Sequence, residues 1–316
     1  MSDEILLSIM IETYNQEAFI SETIESIINQ NYWFNYEILI GDDCSNDMTP
    51  RICDDYAKKN RKIKVLHNLQ NLGPMGNYYN LLKLCKGKYI MDCAGDDYWL
   101  PGKVEKQIKF MESHPNIGMC YSKARIWSEK KTHLTNNTIG KKQTSFQSFL
   151  YGGNSVPALT ICIRNSIIKN YLKEIQPERK NWLMEDYPEW LYCSRTSNIY
   201  FNSSVTAVYR VFDHSVSHNS DFNKQLLFLK NIEQIKHFFG IFFHEQYEIK
   251  DDKRISFDLS YTRLLHKYSK QEYERMKYYY TQLEFHSKRE MCKIFFASNK
   301  LLFLLFKTIL LIFQRI

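Results

Sequence analysis

Short apolar runs and amphipathic stretches alternate along the first 100 residues of the chain. The runs at 5–11 and 36–41 are almost wholly apolar, which is typical of strands buried on both faces. Between them, apolar residues from 19 to 28 recur at helical spacing, with acidic residues on the intervening positions. The pattern continues with a helix over 49–60, a strand over 63–66, a helix from 71 to 84 and a strand over 89–91. These alternations, with short connections, predict a doubly wound, mostly parallel α/β sheet.

The second part of the sheet domain is more irregular. Its pattern predicts a helix over 101–112, a helix opening at 183–191, and strands over 117–121, 159–163 and 204–211. The polar stretch 128–144 predicts a loop over the site. Residues 222–291 carry apolar positions at helical spacing, which predicts helices that pack on the sheet domain or on each other. We therefore expect a sheet domain over 1–220, a helical extension over 221–292 and a separate last segment over 293–316.

The last segment has lysines on one side and apolar residues over the remainder. Lys293, Lys300 and Lys307 are seven residues apart, which keeps them near one face of a helix. A spanning helix would bury one of these charges in hydrocarbon, which is costly. We therefore expect an amphipathic helix that lies in the plane of a membrane, with its lysines reaching the head groups. Packing against a partner chain, for instance in a homodimer, is the alternative.

Polar side chains follow three predicted strands at the points where the strands end. Thr13, Tyr14 and Asn15 follow the first strand, residues 42–43 (Asp-Asp) follow the second, and residues 96–97 (Asp-Asp) follow the fourth. The carboxyl ends of such strands converge on one ligand-binding crevice. Adjacent carboxylates need a counter-charge, and a divalent cation bound to a diphosphate would supply it. An isolated Asp-Asp pair is more often a solvated turn, so the argument depends on the three sets together.

Composition and charge narrow the function classes. The chain is 44% hydrophobic and 15% aromatic, with a net charge of +7. Residues 222–316 hold 17 Lys and Arg against 10 Asp and Glu, so the whole surplus lies in the tail and favours an acidic partner surface.

The eight cysteines form no Cys-x-x-Cys pair, which favours free thiols in a reducing cytoplasm over zinc sites or disulfides. No secretory signal is expected at the acidic N-terminus. The chain lacks Gly-x-Gly-x-x-Gly and Gly-Lys-Ser/Thr motifs, which disfavours nicotinamide dinucleotide and Walker-type ATP chemistry.

Taken together, these stretches resemble a family 2 glycosyltransferase with the GT-A fold, over about residues 6–217. The resemblance rests on segments in the family's order: 8–15 (SIMIETYN), 37–47 (EILIGDDCSND), 71–77 (NLGPMGN), 86–99 (KGKYIMDCAGDDYW), 185–191 (EDYPEWL), and Tyr209 and Arg210 with Ser215 and Ser217. Each segment alone is a weak signal, but their order and spacing make a strong one.

The sequence departs from the family pattern at three positions. Ala94 stands where the first acid of the metal-binding Asp-x-Asp element is expected, and Cys44 stands where glycine is usual. Phe212 replaces the late histidine, and His214 follows two residues later. The first departure leaves the detail of metal coordination open. The third departure leaves two interpretations of His214 open. It either contacts a phosphate or a metal, or it is a surface residue.

The resemblance implies inverting transfer of a sugar from a nucleotide-sugar donor, with a family-level leaning to UDP, to a hydroxyl of a glycan or lipid-linked acceptor. It implies Mg²⁺ or Mn²⁺ on Asp97, with Asp96 on the metal or the ribose. Asp186 would be the general base, with Glu185 as the alternative. The remaining residues implied for the nucleotide-sugar are Thr13, Tyr14, Asn15, Asp43, Asn77, Tyr209 and Arg210, with Asp43 on the base.

Other interpretations compete with these assignments. Glu185 and Asp186 also fit the first turn of a helix simply because the helix dipole favours acids there, and the same dipole would keep Asp186 ionised. A nucleotidyltransferase of similar α/β build would use the same acids, but it would need a glycine-rich basic loop after the first strand. A basic membrane-binding module without catalysis would leave the acids at the strand ends unexplained. We expect a cytoplasmic enzyme of cell-surface polysaccharide synthesis, peripheral on the inner face of the cell membrane, with no nucleic-acid partner.

Overall fold

The structure is a computed structural model that describes residues 4–129, 133–212, 221–283 and 287–313, with side chains up to residue 308. The chain divides into two compact units, residues 1–218 and residues 219–316. The first unit is an α/β sheet domain, and the second is helical. His214, Ser215 and Ser217, which the sequence analysis singled out, lie outside the described residues.

Four parallel strands form one half of the sheet in the first unit. They are β1 (Leu7–Thr13), β2 (Tyr36–Asp42), β3 (Ile63–His67) and β4 (Tyr89–Asp92), in the order β3-β2-β1-β4. The parallel register pairs Thr13 with Asp42 and Met10 with Asp92. The carboxyl ends of β1, β2 and β4 therefore meet at one edge, as the sequence predicts.

The other half of the sheet is mixed. It contains β5 (Tyr98–Trp99), β6 (Ile117–Ser128), β7 (His133–Ile139), β8 (Cys162–Arg164) and β9 (Asn198–Val211), and the path continues β4-β8-β6-β9-β5 with β7 beside β6. Strands β6 and β9 are parallel, whereas β8 is antiparallel to both β4 and β6. The parallel pattern predicted from the sequence thus describes the first half of the sheet.

Strand β7 corrects one prediction, because the sequence analysis placed a loop over 128–144. Here β7 pairs antiparallel with β6, and the Thr135 hydroxyl donates to the Ile126 carbonyl at 2.8 Å. Most of its side chains are exposed, so polar residues suit it. An outer strand that packs one side chain on the core gives little apolar alternation, which is why the pattern looked like a loop.

Helices flank the sheet, and their apolar side chains join those of the strands in one buried core. They are α1 (Ile20–Ile28), α2 (Thr49–Lys59), α3 (Gly73–Leu84), α4 (Lys103–Ser113), α5 (Phe146–Gly152), α6 (Asn165–Ile175) and α7 (Asp186–Thr196). Strand and helix residues such as Ile9, Ile24, Ile40 and Met91 are wholly buried in one cluster. This core holds the strand ends rigidly and leaves their polar loops at its edge.

The second unit consists of helices with a core of their own. They are α8 (Phe222–Phe242), α9 (Asp252–His266), α10 (Lys270–Thr281), α11 (Lys288–Ala297) and α12 (Lys300–Phe313). The core cluster contains Phe257, Leu264, Met276 and Phe303, each almost fully buried. Among the described residues, no helix combines the length and apolar character needed to cross a membrane.

The last segment differs from its predicted geometry in two ways. It is not one helix, because α11 ends at Ala297 and α12 begins at Lys300. Its lysines also do not all point away from the protein: the Lys293 ammonium lies 3.5 Å from Asp258, and the Lys307 ammonium donates to the Leu265 carbonyl near the end of α9. A cation there satisfies a terminal carbonyl and complements the helix dipole. The expectation that both lysines reach head groups was therefore wrong.

Candidate active site at the carboxyl ends of β1, β2 and β4

Two loops at the strand ends are tied together by backbone and side-chain hydrogen bonds. The Asn15 side chain accepts from the Asn46 amide at 2.8 Å, and the Asn15 amide donates to the Ser45 hydroxyl at 2.9 Å. The Gln16 amide donates to the Thr49 hydroxyl at 2.8 Å. These bonds fix the loop after β1 against the loop after β2, so the polar residues of both are pre-positioned.

Hydrogen bonds hold Asp43 in place at this edge of the sheet. Its carboxylate accepts from the Leu72 amide at 2.8 Å and from the Asn68 side chain at 2.9 Å, and its own amide donates to the Thr13 carbonyl at 3.0 Å. Asn77 is enclosed nearby, because its amide group donates to the Gly41 carbonyl at 2.8 Å and accepts from Asn68 at 3.0 Å. Asn77 thus supports the loop that carries Asp43.

The Asp96–Asp97 loop is anchored by Arg210. The Asp97 carboxylate is 2% exposed and accepts from the Arg210 backbone amide at 2.7 Å. The Arg210 guanidinium donates to the Asp96 carbonyl and to the Glu22 carboxylate, with the ring of Tyr98 4.8 Å away. Burial and the neighbouring Asp96 raise the pKa of Asp97, so an added cation would be stabilising there.

Asp186 and Glu185 sit at the start of α7. The Asp186 carboxylate accepts from the Asn154 side chain at 2.7 Å and from the Tyr187 amide at 2.6 Å. Burial nevertheless raises its pKa, so desolvation outweighs the helix dipole on which the sequence argument relied. Burial, with Asp186 and Asp92 beside it, raises the pKa of Glu185 to about 8. At neutral pH Glu185 therefore favours the protonated form, which leaves Asp186 as the candidate general base.

Two further acids at this edge escaped the sequence analysis. Glu12 lies near the end of β1, and Asp92 is the last residue of β4. Each has one enclosed carboxyl oxygen without a hydrogen-bond partner, and burial raises the pKa of both groups. The available signal was a single acid directly after each apolar run, and such an acid is costly to bury unless it is paired.

The other predicted residues take varied positions. Tyr14 is 45% exposed beside the crevice loops, whereas Tyr209 packs against the sheet core. Thr13 is buried, and its hydroxyl oxygen has no hydrogen-bond partner. The Arg210 guanidinium is engaged by protein groups, as described above. The roles of these residues toward a nucleotide remain predictions.

The oxygen-rich edge suits a hard divalent cation. Among the described residues, no three or more His, Cys, Asp or Glu side chains are arranged to hold a metal by themselves. Mg²⁺, however, is commonly bound by one or two carboxylates together with substrate phosphates. Asp96 and Asp97 supply two carboxylates, and the Gln16 side chain, which contacts Asp96, leaves an enclosed amide oxygen without a partner. The donor set therefore fits Mg²⁺ or Mn²⁺ shared with a diphosphate.

The sheet, with carboxylates at the ends of its parallel strands, has the GT-A fold. The fold agrees with a solved structure of S. aureus TarS residues 1–349 in complex with UDP-GlcNAc, which matches with a TM-score of 0.60 at 17% identity over 88% of this chain and 80% of that one. The model of the family described as "Glycosyl transferase family 2" matches residues 8–172. The chain belongs to glycosyl transferase family 2, which confirms the predicted family, fold and enzyme class.

Curated relatives extend the comparison along the sheet domain. The UDP-Glc:alpha-D-GlcNAc-diphosphoundecaprenol beta-1,3-glucosyltransferase WfaP of Escherichia coli is 31% identical over 219 residues, 68% of this chain and 80% of that protein. An uncharacterised protein of Mycobacterium tuberculosis is 35% identical over 122 residues, which is 38% of this chain. That match spans only 35% of the mycobacterial protein's length.

Proposed function

We propose that this protein transfers a sugar from a UDP-linked donor to a hydroxyl group of a lipid-linked or glycan acceptor, with inversion at the anomeric carbon. The proposal is supported by one observation: Asp43 after β2, Asp97 after β4 and Asp186 at the start of α7 are each held in place by hydrogen bonds, and Asp92 at the end of β4 acts electrostatically on Asp186. The names of the E. coli relatives specify UDP-glucose and a diphosphoundecaprenol acceptor, and they supply the substrate classes to test first.

The donor would lie over the loops after β1 and β2. Asp43, fixed by the Leu72 amide, would accept from the base, with Thr13 beside it. Asp97 and Asp96 would hold Mg²⁺ or Mn²⁺. When bound, such a cation neutralises the charge of the departing diphosphate.

Asp186 would act as the general base. The Asn154 side chain and the Tyr187 amide orient its carboxylate, so one geometry is maintained without a cation. The acceptor hydroxyl would lose its proton to Asp186 as its oxygen bonds to the anomeric carbon. The bond from the sugar to the diphosphate breaks in the same step, and the diphosphate leaves with the electron pair.

Calorimetric titration with UDP, with and without Mn²⁺, tests the donor half of the proposal. We expect Mn²⁺ to tighten UDP binding at least about tenfold in the natural protein and to lose that effect in Asp97→Ala. Asp55→Asn on α2, whose side chain is 48% exposed, is the matched control and should bind normally. Equal Mn²⁺-dependent binding by Asp97→Ala would remove Asp97 from the metal. Transfer assays with UDP-glucose and a lipid-diphosphate GlcNAc acceptor then test the reaction.

We also propose that α12 attaches the second unit to an anionic membrane surface through its leucine face. Leu301, Leu304 and Leu305 are 74%, 47% and 60% exposed. Residues 291–316 contain basic residues but neither Asp nor Glu, so no acidic side chain of this segment opposes an anionic lipid surface. The proposal keeps the in-plane attachment expected from the sequence, without Lys293 and Lys307 as contacts to the head groups.

Sedimentation with vesicles that contain anionic lipid tests this attachment. Leu301→Gln with Leu305→Gln should reduce the bound fraction several-fold. Leu227→Gln, a 59% exposed leucine on α8, should not. Normal vesicle binding by the double variant would refute the attachment, and a loss of self-association instead would identify the face as a dimer contact.

A further inference from the structure

Tyr78 and Glu189 form a buried hydrogen bond between two helices that carry different parts of the candidate site. The Tyr78 hydroxyl on α3 donates to the Glu189 carboxylate on α7 at 2.9 Å, and the two residues are 7% and 2% exposed. The other carboxylate oxygen of Glu189 is enclosed and has no hydrogen-bond partner among the described residues. Loss of the Tyr78 hydroxyl would therefore leave a buried carboxyl group unsatisfied, which is costly.

Helix α3 is fixed to the loop that carries Asp43. Asn77, the residue before Tyr78, donates to the Gly41 carbonyl at 2.8 Å. It also accepts from Asn68 at 3.0 Å, and Asn68 in turn donates to Asp43 at 2.9 Å. A Cβ atom added at Gly41 would lie 2.5 Å from the Asn77 side-chain oxygen, so α3 packs closely on the end of β2. The same contacts that hold the Asp43 loop therefore set the position of Tyr78.

The other end of this hydrogen bond lies beside the proposed general base. Glu189 is three residues after Asp186 on α7, so the two side chains lie one turn apart on the same side of the helix. The first turn of α7 is also held from α5, because the Tyr187 hydroxyl donates to the Phe149 carbonyl at 2.8 Å. Tyr78 adds a contact from α3, and this contact connects the start of α7 to the donor side.

We propose that the Tyr78–Glu189 hydrogen bond positions the start of α7 relative to the Asp43 loop, and so holds Asp186 at the distance from the donor sugar that transfer requires. Tyr78 and Glu189 are positioning residues, because they act through Asp186 and not on the substrate. The inference rests on the proposed function of Asp186. A reacting geometry tolerates little displacement, since a shift of about 1 Å can lower a rate by about 100-fold.

Tyr78→Phe tests the hydrogen bond, because it removes the hydroxyl group and keeps the ring. We expect kcat for sugar transfer to fall at least about tenfold, while KM for the donor and the calorimetric Kd for UDP stay within about twofold. Tyr79→Phe is the matched control: Tyr79 is the next residue of α3, is 3% exposed, and has a hydroxyl group without a hydrogen-bond partner in the described part of the chain. Its kcat should stay within about twofold. Equal losses of kcat in the two variants, or an unchanged kcat in Tyr78→Phe, would overturn the inference.

Substitutions at Glu189 separate the hydrogen bond from the charge of the carboxylate. Glu189→Gln keeps an oxygen that accepts from Tyr78, so kcat should stay within about threefold of the natural protein. Glu189→Leu removes the acceptor and should lower kcat as Tyr78→Phe does. The double variant should lose no more than the single ones, because both changes break one bond. Two results contradict the inference: a loss in Glu189→Gln as large as in Glu189→Leu, which would assign the effect to charge, or losses that multiply in the double variant.

Hydrogen–deuterium exchange gives a readout that needs no catalysis. Amides of α7 should exchange roughly tenfold faster in Tyr78→Phe than in the natural protein, whereas Tyr79→Phe should leave their exchange unchanged. Exchange of α7 at the natural rate in Tyr78→Phe would refute the positioning role. A natural protein that neither binds UDP nor transfers sugar would contradict the proposed function instead, so the two failures are distinguishable.

Discussion

The two sides of the crevice stabilise their acids by different means. On the donor side, Asp43 and Asp97 each accept a hydrogen bond from a backbone amide, and the Arg210 guanidinium braces the loop. On the base side, Glu12, Asp92 and Glu185 act on one another as carboxyl groups. The donor side thus suits the binding of a cation, whereas the carboxyl groups of the base side suit the holding and transfer of protons.

The largest expected effect tests the base side. Asp186→Asn should lower the rate of transfer by about 10³-fold, because the acceptor hydroxyl loses its base, while calorimetry should show UDP binding within about twofold. Glu185→Gln should cost less, since burial and Asp186 already favour its protonated form at neutral pH. A greater loss in Glu185→Gln than in Asp186→Asn would reverse the assignment of the two roles.

The second-largest expected effect tests how much Arg210 stabilises the donor side. Arg210→Met removes the cation that is buried between the Asp96 carbonyl and Glu22, and we expect about 3 kcal/mol less unfolding free energy in urea denaturation. Glu22→Gln should cost about 1 kcal/mol or less, because the Glu22 side chain is 56% exposed. Equal losses for the two variants would mean that Arg210 contributes only through Glu22.

Sequence patterns identified the donor side better than the base side. Asp43 directly follows β2 and Asp97 lies in the loop after β4, so their shared edge follows from parallel pairing. Glu12 and Asp92 each come directly after a predicted strand, at 5–11 and 89–91, and the structure includes them in the ends of β1 and β4. Asp92 acts electrostatically on Glu185 and Asp186, which lie more than 90 residues farther along the chain, and an interaction over that separation leaves no local pattern.

The helical unit shows the same limit in another form. The seven-residue spacing of Lys293, Lys300 and Lys307 predicted one helix face, but Lys293 lies on α11 and Lys307 on α12. The contacts of the two lysines are also different, Asp258 for Lys293 and the Leu265 carbonyl for Lys307. Periodicity therefore predicted helical structure in this segment, but neither the break between the helices nor the partners of the lysines.

A third prediction uses pH to separate the two sides through stability. Between about pH 5 and about pH 8 the folded protein keeps a proton on Glu185, whose pKa is raised to about 8, whereas the unfolded chain has lost it. The unfolding free energy should therefore fall as pH rises through this window, by at most about 1.4 kcal/mol per pH unit for this group. Thermal unfolding should show a flatter dependence in Glu185→Gln. An unchanged slope in that variant would mean that the proton resides on another acid of the base side.

The smallest expected effect concerns the backbone of the donor side. Cys44 follows Asp43 with a φ of +62°, a left-handed conformation that costs a side chain about 1 kcal/mol and costs glycine almost nothing. Cys44→Gly should remove this strain, although glycine also increases the conformational entropy of the unfolded chain. The net gain in the free energy of unfolding should therefore be about 0.5 kcal/mol. Cys44→Ala keeps the Cβ atom and should give no gain, which separates backbone strain from loss of the thiol. If Cys44→Ala gains as much free energy of unfolding as Cys44→Gly, the thiol and not the backbone conformation is the source of the destabilisation. The loop that presents Asp43 would then be unstrained, like the helix start that presents Asp186.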